Sequence, residues 1–356
     1  MRMKQGALIA ASFWIFLILS VACGGPSEHR IEGKTMGTTY HIKVVAGRTF
    51  DPAAVQARVE ACLGRVNRSM STFRPDSEIS RFNALPAADT PLAISADFLS
   101  VMQTAQEIYR LTGGAWDGTV DPLVNLWGFG KAGALHQLPT AGAVERARQA
   151  VGFDLIAIDA GGRLSKRRPD VTLDLASIAK GYGVDQVAGV LSELGFKDYV
   201  VEIGGEVYAA GTRPDGTAWR VGINRPEATA GLDAVYKVVR LDNRALATSG
   251  DYRNFYQVEG KRYSHIIDPR TGAPITNQVV SASVVAPDCT RADGLATGLM
   301  VMGPEAGIAL LDRLDGVEGL IVTRQADGTF KDYGSKGMAA LMAEAPTSAP
   351  PGRDNH

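Results

Sequence analysis

Cysteine and histidine are scarce: the 356 residues hold three and five of them. That excludes a disulfide-dense scaffold, and no Cys or His spacing fits a structural zinc site. Neither sign of charge prevails. Lys and Arg number 37 against 38 Asp and Glu, a net charge of −1, so the basic excess of a nucleic-acid binder is missing. No repeat is visible and no linker divides the middle of the chain. The one strongly apolar N-terminal run, 7–21, is shorter than the ~20 residues of a spanning helix. What is present is an ordinary hydrophobic fraction, 45%, and many glycines, 40. A chain of this size buries a core without staples, and the glycines announce tight turns and close backbone approaches.

The N-terminus reads as a processing signal. Arg2 and Lys4 precede the apolar run, as in a signal peptide. Ser20, Val21 and Ala22 then lead to Cys23. This arrangement resembles the lipobox of bacterial lipoproteins, with Ser20 where Leu is usual, and it makes Cys23 the expected lipidated first residue. Cys62 and Cys289 read as unpaired apolar residues.

Asp51 and Pro52 open a helix with Val55, Val59, Cys62 and Val66 on one face. A second helix starts at Ser95 and stops at Gly113–Gly114. A third is expected over 140–151, a fourth from Leu175 to Gly195, and another over 292–313. Strands are expected at 155–159, 171–174, 199–209, 219–223, 236–241, 263–267 and 279–286, with a hairpin over 318–333. The tail from Pro346 is Pro-rich and polar. Strands and helices mix without regular βαβ alternation, so the expected class is α+β.

Four islands are too polar or Gly-rich for packing alone. Residues 33–38 (GKTMGT) suit a backbone that wraps a ligand, or a strand-edge turn. Residues 70–83 turn about Pro75–Asp76, with Phe73 beside the turn as a stacking platform or a core ring. Residues 114–128 set Trp116 and Trp127 near Asp117 and Asn125, which suits a flat heteroaromatic ligand or a Trp-anchored loop. Residues 174–181 open a helix with Asp174, Ser177 and Lys180, as helix caps or as a phosphate site. Two partner segments join the fourth island, 265–272 (HIIDPRTG) and 292–297 (ADGLAT). Asp293 and Thr297 lie four apart and share a helix face. A carboxylate and a hydroxyl fit a hard cation that keeps phosphate and water ligands, which describes Mg²⁺.

These islands, with Gly204–Gly205 and Thr248–Ser249–Gly250, occur in the order seen in the ApbE family, the FAD:protein FMN transferases. The resemblance spans about residues 30–340. It implies a single α+β catalytic domain over 31–340, after a signal at 1–22 and an anchored linker at 23–30, with a disordered tail at 341–356. It implies FAD as substrate, contacted by Met36, Phe73, Ala115, Trp116, Asp117, Asp174, Lys180 and Ile267. Phe73 stands where the family often has Tyr. The resemblance further implies Mg²⁺ at Ser177, Asp293 and Thr297, and His265 as the residue aiding binding and catalysis. The implied reaction moves FMN from FAD onto a Thr or Ser hydroxyl of an acceptor protein and releases AMP. Family acceptors carry a D-G-x-[ST]-G-A-[ST] motif and include subunits of sodium-pumping and Rnf-type complexes. The expected location is the periplasmic face of the inner membrane, anchored through Cys23, with no nucleic-acid partner. Two alternatives stay open at this level: an FAD pyrophosphatase that uses water, and a non-catalytic flavin-binding lipoprotein.

Overall fold

The computed structural model describes residues 25–130, 138–231, 234–252, 255–258 and 260–343. Cys23, the signal and the tail from 344 lie outside the described residues. Eight strands form one sheet: β1 (Ser27–Thr35), β2 (Thr38–Ala46), β3 (Tyr199–Ile203), β4 (Glu206–Ala210), β5 (Arg244–Gly250), β6 (Val279–Ala286), β7 (Glu318–Arg324) and β8 (Phe330–Gly334). Their spatial order is their chain order, and every neighbouring pair is antiparallel. The sheet is a meander, and the rest of the described chain is inserted between its strands except for the short segment Met338–Ala343 that follows the last one.

Five main helices occupy those insertions: α1 (Pro52–Met70), α2 (Ala96–Leu111), α3 (Ala176–Glu193), α4 (Cys289–Met302) and α5 (Pro304–Leu311). Asp51 caps α1 through Ala53 and Ala54 N–H, and Ser95 caps α2 through Phe98 N–H, as their sequences predict. The helices cover one sheet face and share its main core, which holds Val59, Val66, Ile178, Leu191, Val201, Val284 and Leu295. A three-stranded sheet that includes Trp219–Asn224 and Val235–Leu241 lies in the second core, with Val207, Leu246, Val285 and Val322. Strand β6 is buried at every position. Ala282, Val284 and Ala286 face the first core, and Val285 faces the second. A bulge between Val279 and Ser281 reverses the alternation, so Val279 faces the first core and Val280 the second.

The expected α+β class holds, and several expected elements differ. The run 199–209 is a hairpin that turns at Gly204 and Gly205, with φ of 60° and 105°. The run 292–313 is two helices, because Gly303 takes φ 80° and Pro304 starts a new one. Residues 171–174 are not a strand, while Arg163–Lys166 is. The third helix is Ala141–Arg148, shorter than 140–151. The run 263–267 breaks at a bend, residues 265–266, between Lys261–Ser264 and Ile267–Asp268. The ordered fold reaches past the expected limits of 31 and 340. Strand β1 starts at Ser27 in what reads as linker, and Met342 and Ala343 pair with Val239 and Val238. Cys62 and Cys289 are buried and unpaired, as read. Among the described residues no helix is long and apolar enough to cross a membrane.

Candidate active site

The cleft has two lobes. An outer lobe of about 410 Å³ is lined by Met36, Asn67 and Phe73. An inner lobe of about 340 Å³ is lined by Trp116, Ser177, His265, Asp293 and Thr297. Asp174, Ala176 and Lys180, at the start of α3, line both lobes and form the neck between them.

The β1–β2 turn builds one wall of the outer lobe. Met36 and Gly37 both take positive φ, 49° and 73°, the pattern of a type I′ hairpin turn. The strained Met36 backbone points to a demand on its side chain, and Met36 lines the lobe. Phe73 is 85% exposed. A ring that open to solvent serves no core, so the stacking role is the one its position supports.

In the inner lobe the loop after α2 supplies Ala115, Trp116 and Asp117, all buried. Trp116 Nε1 donates to Ser177 Oγ at 3.0 Å, which ties the loop to α3. The Asp117 carboxylate is committed inward. It accepts from Thr119 N–H at 2.8 Å, Thr119 Oγ1 at 2.7 Å and Phe153 N–H at 3.1 Å. Burial pushes its carboxyl up to about 6 against the pull of those donors. Asp117 borders the cleft, and its carboxylate oxygens shape the loop. Asp174 accepts from Ala176 N–H at 2.8 Å and so tightens the start of α3.

Asp293 and Thr297 lie one turn apart on α4. Asp293 is 3% exposed. Its Oδ2 accepts from Gly181 N–H at 3.0 Å, a bond that needs α3 and α4 in close approach. Thr297 Oγ1 pairs with Ser249 Oγ at 2.9 Å, at the end of β5. Lys180 Nζ lies 2.6 Å from Glu206 Oε2. Burial raises the Asp293 carboxyl, and the Lys180 ammonium opposes that. Burial also raises Glu206, Asp293 adds to it, and Lys180 opposes. For Lys180 itself burial acts downward, but Asp293 and Glu206 outweigh it and the ammonium is held charged. Two buried carboxylates thus face one ammonium. The Asp293 carboxyl, with the Ser177 and Thr297 hydroxyls lining the same lobe, offers a donor set for a hard cation. Among the described residues no three His, Cys, Asp or Glu gather as a metal cluster. Such a cation would therefore draw on the hydroxyls and on ligand oxygens too, a pattern that suits Mg²⁺.

His265 stands at the bend that breaks 263–267 and lines the inner lobe with Ile267. The Phe129 ring meets its imidazole edge-on at 6.3 Å. Behind Phe129 the rings of Tyr256, Tyr263 and Trp127 stack in series. Trp127 Nε1 donates to Gly272 O at 2.7 Å and anchors the His265–Gly272 segment.

The structure thus gathers every expected site residue among the described residues into one cleft. Glu206 was missed. Its signal was a lone carboxylate directly after Gly204–Gly205, heading the otherwise apolar run Val207–Ala210.

The sequence and the fold both have counterparts among known proteins. A model described as the ApbE family matches residues 36–321. The FAD:protein FMN transferase of Vibrio cholerae is 42% identical over 330 residues, covering 92% of this chain and 97% of that one. The protein of the same name from Haemophilus influenzae is 44% identical over 288 residues, covering 80% and 83%. Among solved structures, flavin transferase ApbE from Vibrio cholerae superposes with a TM-score of 0.80, covering 89% of this chain and 99% of that one. The apo flavinyl transferase ApbE of Pseudomonas stutzeri, 38% identical, also gives 0.80 and covers 90% and 98%. The chain belongs to the ApbE family.

Proposed function

We propose that this protein is an FAD:protein FMN transferase that depends on Mg²⁺. The observation that carries the reading is the neck: Lys180 and Asp174 border both lobes. An elongated dinucleotide with rings at its ends and anionic charge at its middle fits a cleft of that form. Phe73 and Met36 offer apolar contact in the outer lobe, and Ala115, Trp116 and Ile267 in the inner one. Lys180 offers the pyrophosphate a fixed ammonium at the start of α3.

Ser177, Asp293 and Thr297 would hold the Mg²⁺, and when bound it would offset charge on the pyrophosphate. His265 accepts the proton of the acceptor hydroxyl. The hydroxyl oxygen forms a bond to the FMN-side phosphorus. The bond from that phosphorus to the bridging oxygen breaks, and AMP leaves with the electron pair. The acceptor keeps FMN through a phosphoester. The acceptor we propose is a protein segment of the form D-G-x-[ST]-G-A-[ST], on extracytoplasmic redox subunits of sodium-pumping or Rnf type. The enzyme would meet them at the periplasmic face of the inner membrane, anchored through Cys23. Cys23→Ser should then leave an uncleaved or soluble protein with unchanged FAD affinity. Fractionation that finds the variant cleaved and still membrane-bound would refute the anchor.

The test is incubation with FAD, Mg²⁺ and a peptide of that form, followed by mass spectrometry. Transfer adds the mass of an FMN phosphoester to the peptide and releases AMP. Free FMN and AMP with an unmodified peptide would mean a pyrophosphatase. Intact FAD would mean a flavin-binding protein.

A further inference from the structure

Glu206 has no task in the reading above. It opens β4 directly after the Gly204–Gly205 turn and is 2% exposed. Its Oε2 lies 2.6 Å from Lys180 Nζ and pairs with that ammonium, and among the described residues it takes no other hydrogen bond. A buried carboxylate held this way is costly, and the strand it heads is apolar, with Val207, Ala209 and Ala210 buried. Folding alone gives no reason for a charge there. The turn packs against Thr38 and the lysine: a Cβ at Gly204 would lie 2.8 Å from Thr38 Cγ2 and 3.3 Å from Lys180 Cδ. The lysine side chain keeps 30% of its exposure while that of Glu206 keeps 3%. Glu206 therefore backs the ammonium from inside and leaves its outer side to the cleft. Asp293, on α4, is the other carboxylate that acts on this ammonium.

We propose that Glu206 is a positioning residue that holds the Lys180 ammonium at the neck of the cleft and keeps it from collapsing onto Asp293 or onto a bound phosphate. The proposal rests on the reading of the cleft as an FAD site. Only an ammonium in a fixed place stabilises a transition state more than a ground state. Released from Glu206, it would follow the strongest negative charge available. With substrate bound, that is the ground-state pyrophosphate.

Glu206→Gln keeps the shape and removes the charge. It should tighten FAD binding in EDTA, read by flavin fluorescence, roughly three- to tenfold, because a nearby negative charge is gone and the ammonium is free. The same variant should slow AMP release at saturating FAD and Mg²⁺ roughly tenfold or more. Tighter binding with slower turnover is an outcome that general structural damage does not produce. In a Lys180→Met background the Gln substitution should change neither quantity. If Glu206→Gln does not fold, Glu206→Asp, which keeps the charge but withdraws it by one methylene, should give the slower turnover and lose it in the Lys180→Met background. The proposal is overturned if binding and turnover fall together, if neither changes, or if the loss persists undiminished without Lys180. Wild-type protein that neither binds nor cleaves FAD would overturn the reading of the site, and the proposal with it. Wild-type cleavage with an indifferent Glu206→Gln overturns the proposal alone.

Discussion

Asp293 has two roles that separate by substitution. In the proposed function its charge serves the cation, and its Oδ2 accepts from Gly181 N–H. The structure buries it. Asp293→Asn can still accept from Gly181 N–H, so it should fold normally, bind FAD in EDTA within about threefold, and lose AMP release by ~10²-fold or more. Asp293→Ala also orphans the Gly181 N–H, at about 1–3 kcal/mol of stability. An Asn variant with wild-type turnover at limiting Mg²⁺ would place the metal elsewhere. His265 is held at a bend and braced by Phe129. His265→Ala should lower FMN transfer by ~10²–10⁴-fold, the usual loss of a general base. The wild-type rate should rise with pH near neutrality, and that limb should vanish in the variant. A variant that keeps the limb and loses only FAD affinity would make His265 a substrate-binding residue.

At the scale of elements the site depends on how closely α3 and α4 meet. A Cβ on Gly181 would lie 2.3 Å from Cys289 O and 2.8 Å from Asp293 Cβ. The obstacle is backbone, which cannot rotate aside. Gly181→Ala should therefore push the helices apart, destabilise by about 1–3 kcal/mol, and move Asp293 away from Lys180. Urea unfolding and AMP release should both report the change. A variant of wild-type stability would show that the helices have slack. Asp185 of α3 strengthens the same contact, accepting from Cys289 N–H and Thr290 N–H at 2.8 Å each, at the start of α4.

For the whole molecule, those buried carboxyls set a dependence on pH. Burial pushes Asp117 and Asp185 up to about 6, above the ~3.9 of an unfolded Asp. Each then binds its proton more tightly when folded than when unfolded. The stability this confers is complete below about 4 and is lost as pH rises through about 6. The metal-free protein should thus resist urea better at pH 5 than at pH 7. A midpoint that is level or rises across that window would show both groups titrating normally in the fold.

Local chemistry made much of this legible in advance. Caps at Asp51 and Ser95, the apolar faces of α1 and α2, and the order of the polar islands depend on residues near one another in sequence, and all are readable there. The class, the family and most of the cleft lining follow from them. What depended on distant partners was decided by the tertiary structure. Residues 171–174 look like a strand because Val171 and Leu173 alternate with Thr172 and Asp174, but they run as a half-buried connection to α3. Residues 292–313 keep one apolar pattern across the break at Gly303–Pro304, where Asn277 from before β6 donates to Met300 O and Val301 O. Asp117 lines the cleft, and only the fold brings Phe153 N–H onto its carboxylate. Glu206 gains its place only when the β3–β4 turn brings it to Lys180, 26 positions back along the chain. A buried charge takes its meaning from the charges packed around it, and those are chosen by the meander and its insertions.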